Sequence, residues 1–210
     1  EVVSGKMKDG ENLIAVWSFD SADSLRDASE NLNNILTVSK PSFTGGKIGD
    51  CLYFNGSSQF AQLPYGIAAW PSLTFCAWVK WTSTNKWERI FDFGNDADHY
   101  MFLSPSNGSE MVFGIKNGGA EETLKCSKLP NLRWVHVAVT MGNEGVTMYV
   151  DGESVGTTSN ISVRPLDIVP TFNYLGRSQF ASDPMFKGSM DDVRLYNYAL
   201  SAEQIRAIAD

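Results

Sequence analysis

The stretch WVHVAVTMGNEGVTMYVDGESVGT, residues 134–157, decides how this chain is read. Val135, Val137, Val139 and Met141 alternate with His136, Ala138 and Thr140, the period of two that puts successive side chains on opposite faces of a strand. Residues 142–145 form a tight turn, and a second run, 146–150, leads back. Asp151-Gly152 is a hairpin turn signal, so residues 153–157 make a third antiparallel strand. Working outward, residues 173–210 (NYLGRSQFASDPMFKGSMDDVRLYNYALSAEQIRAIAD) hold another strand, a loop, a long last strand region at 187–198 and a short helix. Ser201 and Gln204 stand at the N-cap and N3 positions of a capping box, with Leu200 and Ile205 placed as its hydrophobic staple.

The same grammar runs through the first half. Short strands are expected at 13–19, 51–54, 59–63, 73–81, 89–93, 100–103 and 111–115, with Gly/Asn turns between them. Asn55-Gly56 predicts a hairpin between the second and third of these. Many short strands with such turns read as an all-β, antiparallel two-sheet sandwich with one short C-terminal helix. Residues 1–12 are expected to be a disordered leader or tether and residues 13–210 one domain. A chain of 210 residues buries roughly 70% of its unfolded surface, enough for a core without staples. Cys51, Cys76 and Cys126 are an odd number with no zinc spacing, and they read as buried free thiols, with a single disulfide as the lesser reading.

The charge is −7. Nucleic acid is disfavoured, because phosphate binding needs a basic face, and so is an anionic membrane surface. No apolar run reaches the roughly 20 residues of a membrane span. A neutral glycan and a divalent cation both remain compatible.

The series WSFD (17–20), GGKIGDCLYFNGSSQF (45–60), LTFCAWVK (73–80), IFDFGND (90–96), YMFLSPSNG (100–108) and LGRSQF (175–180), with the stretches above, resembles the laminin-G-like, concanavalin A-like jelly-roll domains. It is similar to the version appended to bacterial glycoside hydrolases and surface proteins. The resemblance implies export to an extracellular, periplasmic or outer-surface location. It also implies a structural calcium where the first and last strands meet, drawing here on Asp20 and Asp191, with an amide from Asn33 or, less favoured, Asn55. Calcium takes six to eight oxygen ligands, so amides and carbonyls would complete the set.

No catalytic apparatus stands out. Glu88 and Asp92 fall at i and i+4 of a strand expected over 87–93, the nearest thing to the paired carboxylates of a glycosidase. His136 reads as a packed strand histidine. His99 has no nucleophile beside it. A glycoside hydrolase or polysaccharide lyase is therefore the weak alternative. Sugar sites combine aromatic faces with polar groups that read hydroxyls. Three loops carry that mixture: Trp87 in 82–87, Asp98, His99 and Tyr100 in 95–100, and Arg177 and Phe180 in 177–186. Each of these residues also has a plainer reading as packing or as a loop-fixing ion pair. The leading expectation is a non-catalytic carbohydrate-binding module. The second is a structural or protein–protein accessory domain that sits on a catalytic domain or a surface partner without binding sugar.

Overall fold

The computed structural model describes residues 12–20, 25–29 and 31–210. The expected leader lies outside the described residues except for Asn12, whose carbonyl accepts the Asn197 N–H at 2.9 Å. Among the described residues, fifteen strands form two antiparallel sheets. The eight-stranded sheet holds β1 (Leu13–Trp17), β3 (Ser42–Gly45), β4 (Asp50–Asn55), β6 (Leu73–Trp81), β11 (Val135–Gly142), β12 (Gly145–Val150), β13 (Glu153–Thr158) and β15 (Lys187–Tyr196). The seven-stranded sheet holds β2 (Thr37–Val38), β5 (Ala61–Leu63), β7 (Phe91–Asp96), β8 (His99–Ser104), β9 (Glu110–Asn117), β10 (Glu122–Ser127) and β14 (Phe172–Leu175). The three-strand reading of 134–157 is borne out: Val137 faces Val150 and Thr147 faces Thr157.

Strand alternation builds the core. Phe75, Val79, Trp81, Val137 and Val139 from one sheet meet Phe91, Phe93, Met101, Phe113 and Leu175 from the other, all buried. Phe75 lies 4.5 Å from Phe91, ring centroid to centroid. Interdigitation of two inner faces is how a sandwich removes apolar surface from water. All three cysteines are free and buried.

Two local expectations change. Asn55-Gly56 does not close a hairpin, because β4 and β5 belong to different sheets. The Asn55 side chain accepts the N–H groups of Ser57, Ser58 and Gln59, and this local turn carries the chain across the sandwich edge instead of back along the same sheet. A one-turn helix, α1 (Pro165–Ile168), also precedes β14, with Pro165 in its first turn and the Asp167 carboxylate accepting the Arg164 N–H at 2.8 Å. The terminal helix α2 (Ala202–Ala209) forms as read. Ser201 Oγ accepts the Gln204 N–H at 3.2 Å and Gln204 Oε1 accepts the Ser201 N–H at 2.8 Å. Leu200 and Ile205 are buried with Cys76, Ala138, Tyr149 and Tyr196 on the outer face of the eight-stranded sheet.

Candidate functional site

The site lies on the outer face of the seven-stranded sheet. With Phe91 and Phe93 turned into the core, the alternation of β7 sends Asp92 and Gly94 outward. Register then aligns Tyr174, Asp92, Phe102 and Gly114 in one row across β14, β7, β8 and β9, and Gly94 beside Tyr100 in the next. Gly114 is what allows the Phe102 ring to lie flat across β9, since a Cβ there would come within 2.6 Å of Phe102 Cε1.

Two loops turn this face into a depression. Before β7, Trp87 adopts a left-handed backbone (φ 67°) and its N–H donates to the Ser106 carbonyl at 2.7 Å. Arg89 follows, 2% exposed. Its Nε donates to Asp92 Oδ2 at 3.2 Å, one terminal nitrogen to the Trp87 carbonyl at 2.6 Å, and the other to Asp183 Oδ2 at 2.8 Å. The guanidinium carbon sits 4.1 Å from the Phe102 ring centroid, a cation–π contact strengthened by exclusion of water. After β14, the loop holding Asp183 is anchored through the Gln179 N–H to Asp92 Oδ2 at 3.1 Å and the Ser178 hydroxyl to Asp183 at 2.9 Å. This anchoring sets the Phe180 ring edge-on to Tyr100, centroids 5.4 Å apart.

The result is a depression of about 200 Å3 lined by Trp87, Arg89, Phe102, Glu121, Phe180 and Asp183. Tyr100 is buried beneath it and donates its hydroxyl to Glu121. Burial and that glutamate hold the Tyr100 hydroxyl well above its usual pKa. Burial lifts the Asp92 carboxyl to about 7, against the downward pull of the Arg89 guanidinium, and Asp92 Oδ1 has no hydrogen-bond partner among the described residues. The floor is thus a buried charged network under an aromatic rim, a surface suited to stacking a sugar ring and reading its hydroxyls.

The residues singled out in sequence scatter around this site. Trp87 and Phe180 line it and Tyr100 supports it. Asp98 and His99 lie at the β7–β8 turn, where Asp98 pairs with Lys116 at 2.7 Å and His99 Nδ1 with Asp96 at 2.9 Å, and neither lines the depression. Arg177 stands across the face over Phe60 and Tyr174. Arg89, Phe102 and Asp183 were not singled out. For Phe102 the outward turn is readable in the alternation of β8, but Arg89 and Asp183 are 94 residues apart and meet only in the fold. Glu88 is also not where it was expected. It precedes β7 and is fully buried, accepting the Trp81 indole N–H at 2.8 Å and the Asn85 amide at 3.2 Å. Asp92 is bound instead to Arg89 and Gln179, so the two carboxylates belong to separate networks. His136 is packed as read: 1% exposed, its ring edge-on to Trp78 at 5.4 Å.

The candidate metal residues divide in two. β15 pairs with β4 through Met190 and with β1 from Val193, with a bulge between. At that break Asp191 is fully buried. Its Oδ2 accepts the N–H groups of Lys47 and Ile48 at 2.8 and 2.9 Å, and its Oδ1 has no hydrogen-bond partner among the described residues. Burial raises its pKa to about 6. Asp20 reaches the same turn and accepts the Asp50 N–H at 3.3 Å. Side chains at Gly46 and Gly49 would collide with Asp191 Oδ2 (2.6 Å) and Asp20 Oδ1 (2.0 Å), so the glycine turn wraps both carboxylates closely. Asn33 is engaged elsewhere, its amide donating to the Ile14 carbonyl at 2.8 Å and its N–H to Asp27 at 3.0 Å. Asn55 caps its own turn. Among the described residues no group of three or more His, Cys, Asp or Glu side chains is arranged to hold a metal. Asp20 and Asp191 meet at one glycine turn, while the N–H and amide nitrogen of Asn33 are tied to Asp27 and Ile14.

Among solved structures, domain 4 of AbnA, a GH43 extracellular arabinanase from Geobacillus stearothermophilus determined with arabinotriose, superposes with a TM-score of 0.83 at 24% identity, over 95% of this chain and 100% of that one. The binding domain of Paraclostridial Mosquitocidal Protein 1 gives 0.77 at 14%, over 94% of this chain and 52% of that one. The CBM40 of Ruminococcus gnavus IT-sialidase, bound to α2,3-sialyllactose, gives 0.66 at 18%, over 76% and 96%. At these identities the likeness is one of fold. The sequence has no match among curated proteins. Residues 55–206 match the family model of the concanavalin A-like lectin/glucanases superfamily, and the chain belongs to that family.

Proposed function

We propose that this domain is a non-catalytic carbohydrate-binding module of an exported or cell-surface protein, and that the depression on the seven-stranded sheet is its glycan site. The observation that carries the reading is the pair of half-buried rings, Trp87 and Phe180, standing over buried Phe102 and Arg89 with the partly exposed Asp183 carboxylate beside them. Stacking supplies affinity, and the fixed polar groups supply orientation. Among the lining carboxylates, Glu121 is hydrogen-bonded to Tyr100 and Asp183 is held by Arg89 and Ser178, which supports binding over acid–base work. The similarity to a domain determined with arabinotriose makes arabino-oligosaccharides the first probe. In affinity electrophoresis and calorimetry, Trp87→Ala and Phe180→Ala each weaken binding about tenfold or more, roughly 1.4 kcal/mol, with little change in melting temperature. Full retention of binding in both variants overturns the assignment, and turnover of any probe overturns its non-catalytic part.

A second reading has its own observation. Tyr65, Trp70, Leu166 and Val169 are exposed on segments tied together by the Leu166 N–H to the Trp70 carbonyl and the Gly66 N–H to the Pro170 carbonyl. This apolar edge suits an accessory domain resting on a catalytic neighbour. Calcium at Asp20 and Asp191 belongs to the proposal as a structural ion. It would neutralise two carboxylates gathered on one turn and tie the first strand to the last. A melting temperature that is higher in calcium than in EDTA, and that loses this difference in Asp191→Asn, is the expected result.

A further inference from the structure

We propose that a second aromatic cluster on the same sheet face, Phe60, Tyr174 and Phe172 with Arg177, is a separate subsite for a carboxylate-bearing sugar, a uronic acid residue of an acidic glycan. The proposal rests on the reading of this face as glycan-binding. Arg177 is half-buried, its guanidinium carbon 4.7 Å from the Phe60 ring centroid and 5.0 Å from that of Tyr174. Those two rings meet edge to face at 5.6 Å, so the guanidinium is held in a corner between them. It makes no hydrogen bond or ion pair with any described residue. Arg89, in the neighbouring depression, is saturated by Asp92, Asp183 and the Trp87 carbonyl.

An arginine in this condition has a specific chemistry. Stacking covers its weakly hydrated faces and fixes its plane, while its N–H edge keeps five donors in a fork that matches a carboxylate in two parallel bonds. Beside it, Phe172 is 41% exposed and lies nearly parallel to Tyr174, 12° between planes at 6.4 Å. That ring offers a flat C–H platform next to the cation, and the Gln179 amide, which donates to the Phe172 carbonyl at 2.8 Å, fixes the backbone carrying it. An uncharged sugar would use the platform and offer the guanidinium only neutral hydroxyl acceptors. A uronic acid uses both. Tyr174 and Phe102 flank Asp92 in one row, so the clusters lie two strand spacings, about 10 Å, apart. The loop that reaches Asp92 through Gln179 stands between them.

The chain carries a net charge of −7 and repels anions in general, so a preference for an acidic sugar would have to come from a local cation. Calorimetry at low salt with trigalacturonate, its methyl ester and an arabino-oligosaccharide tests this. The parent is expected to bind trigalacturonate about tenfold tighter than the ester, with the difference shrinking in high salt. Arg177→Gln abolishes the difference, and Phe172→Ala weakens both uronate probes. An unaltered melting temperature shows that each variant is folded, and because Phe172 is exposed its variant keeps the test open should Arg177→Gln misfold. Equal affinity for acid and ester, or a preference that survives Arg177→Gln, overturns the subsite while leaving the glycan-binding reading to its own test. Failure of all three probes to bind overturns both.

Discussion

The two outer faces of the sandwich start alike and end differently. On the eight-stranded sheet, Cys76, Ala138, Tyr149 and Tyr196 form an apolar patch that Leu200 and Ile205 seal. On the seven-stranded sheet, Tyr100, Phe102 and Val112 form a comparable patch, but Trp87 and Phe180 cover it only in part. The difference lies in the cover. A capped amphipathic helix presents a continuous apolar stripe and excludes water. The loops over the second patch are pinned by a buried arginine, and they leave a depression with charged groups at its edge. One face is finished by the chain itself, and the other keeps an open depression.

Breaking the charged network should have the largest effect. Arg89→Met strips a donor from buried Asp92, from Asp183 and from the Trp87 carbonyl, and removing one partner of such a buried pair costs about 3–5 kcal/mol. Denaturant melts should show that loss together with loss of glycan binding, because the loop carrying Phe180 is freed. A stability within 1 kcal/mol or so of the parent would mean that the loop is held by other contacts.

Acid sharpens the comparison, because His136 on one face and Asp92 on the other are shifted in opposite directions. Burial lowers the His136 pKa to about 4 and raises that of Asp92 to about 7. Between about pH 4 and 6.5 the unfolded chain protonates His136 while the native ring stays neutral. Its contribution therefore makes stability fall as pH drops through that window, by up to about 3 kcal/mol. Asp92 has the opposite sign. Its native carboxyl holds a proton that the unfolded chain has released, so its contribution is full below about pH 4 and is lost as pH rises toward 7. Subtracting the stability–pH curve of His136→Phe from the parent curve isolates the first slope, and Asp92→Asn isolates the second. Two difference curves of the same sign would contradict the pair.

The smallest effect tests the closed face. Ser201→Ala removes the cap of α2 and should cost about 1 kcal/mol without touching glycan affinity, since α2 lies on the opposite sheet. A change in affinity would mean that the two faces are coupled through the core.

Much of this was legible in the chain. The alternation in 134–157, the turn at Asp151-Gly152 and the Ser201–Gln204 box are local patterns, and each formed as read. Trp87 and Phe180 could be picked because aromatic residues among polar loop neighbours have no strand pattern to bury them. Where Asn55-Gly56 would send the chain could not be read. The dipeptide sets the turn, but which sheet receives β5 depends on where Leu63 and Ala61 find a core.

The sequence by itself determined the class of fold and most of its strands, because period-two alternation, turn residues and capping act within a few residues of one another. Only the tertiary structure decided the site. Arg89 with Asp183 and Arg177 with Phe60 are joined, and Asp20 and Asp191 are brought to one glycine turn, across long stretches of chain. Their chemistry, a guanidinium paired in one corner of a sheet and, among the described residues, without an ion pair in another, is a product of sheet register and burial that no local pattern encodes.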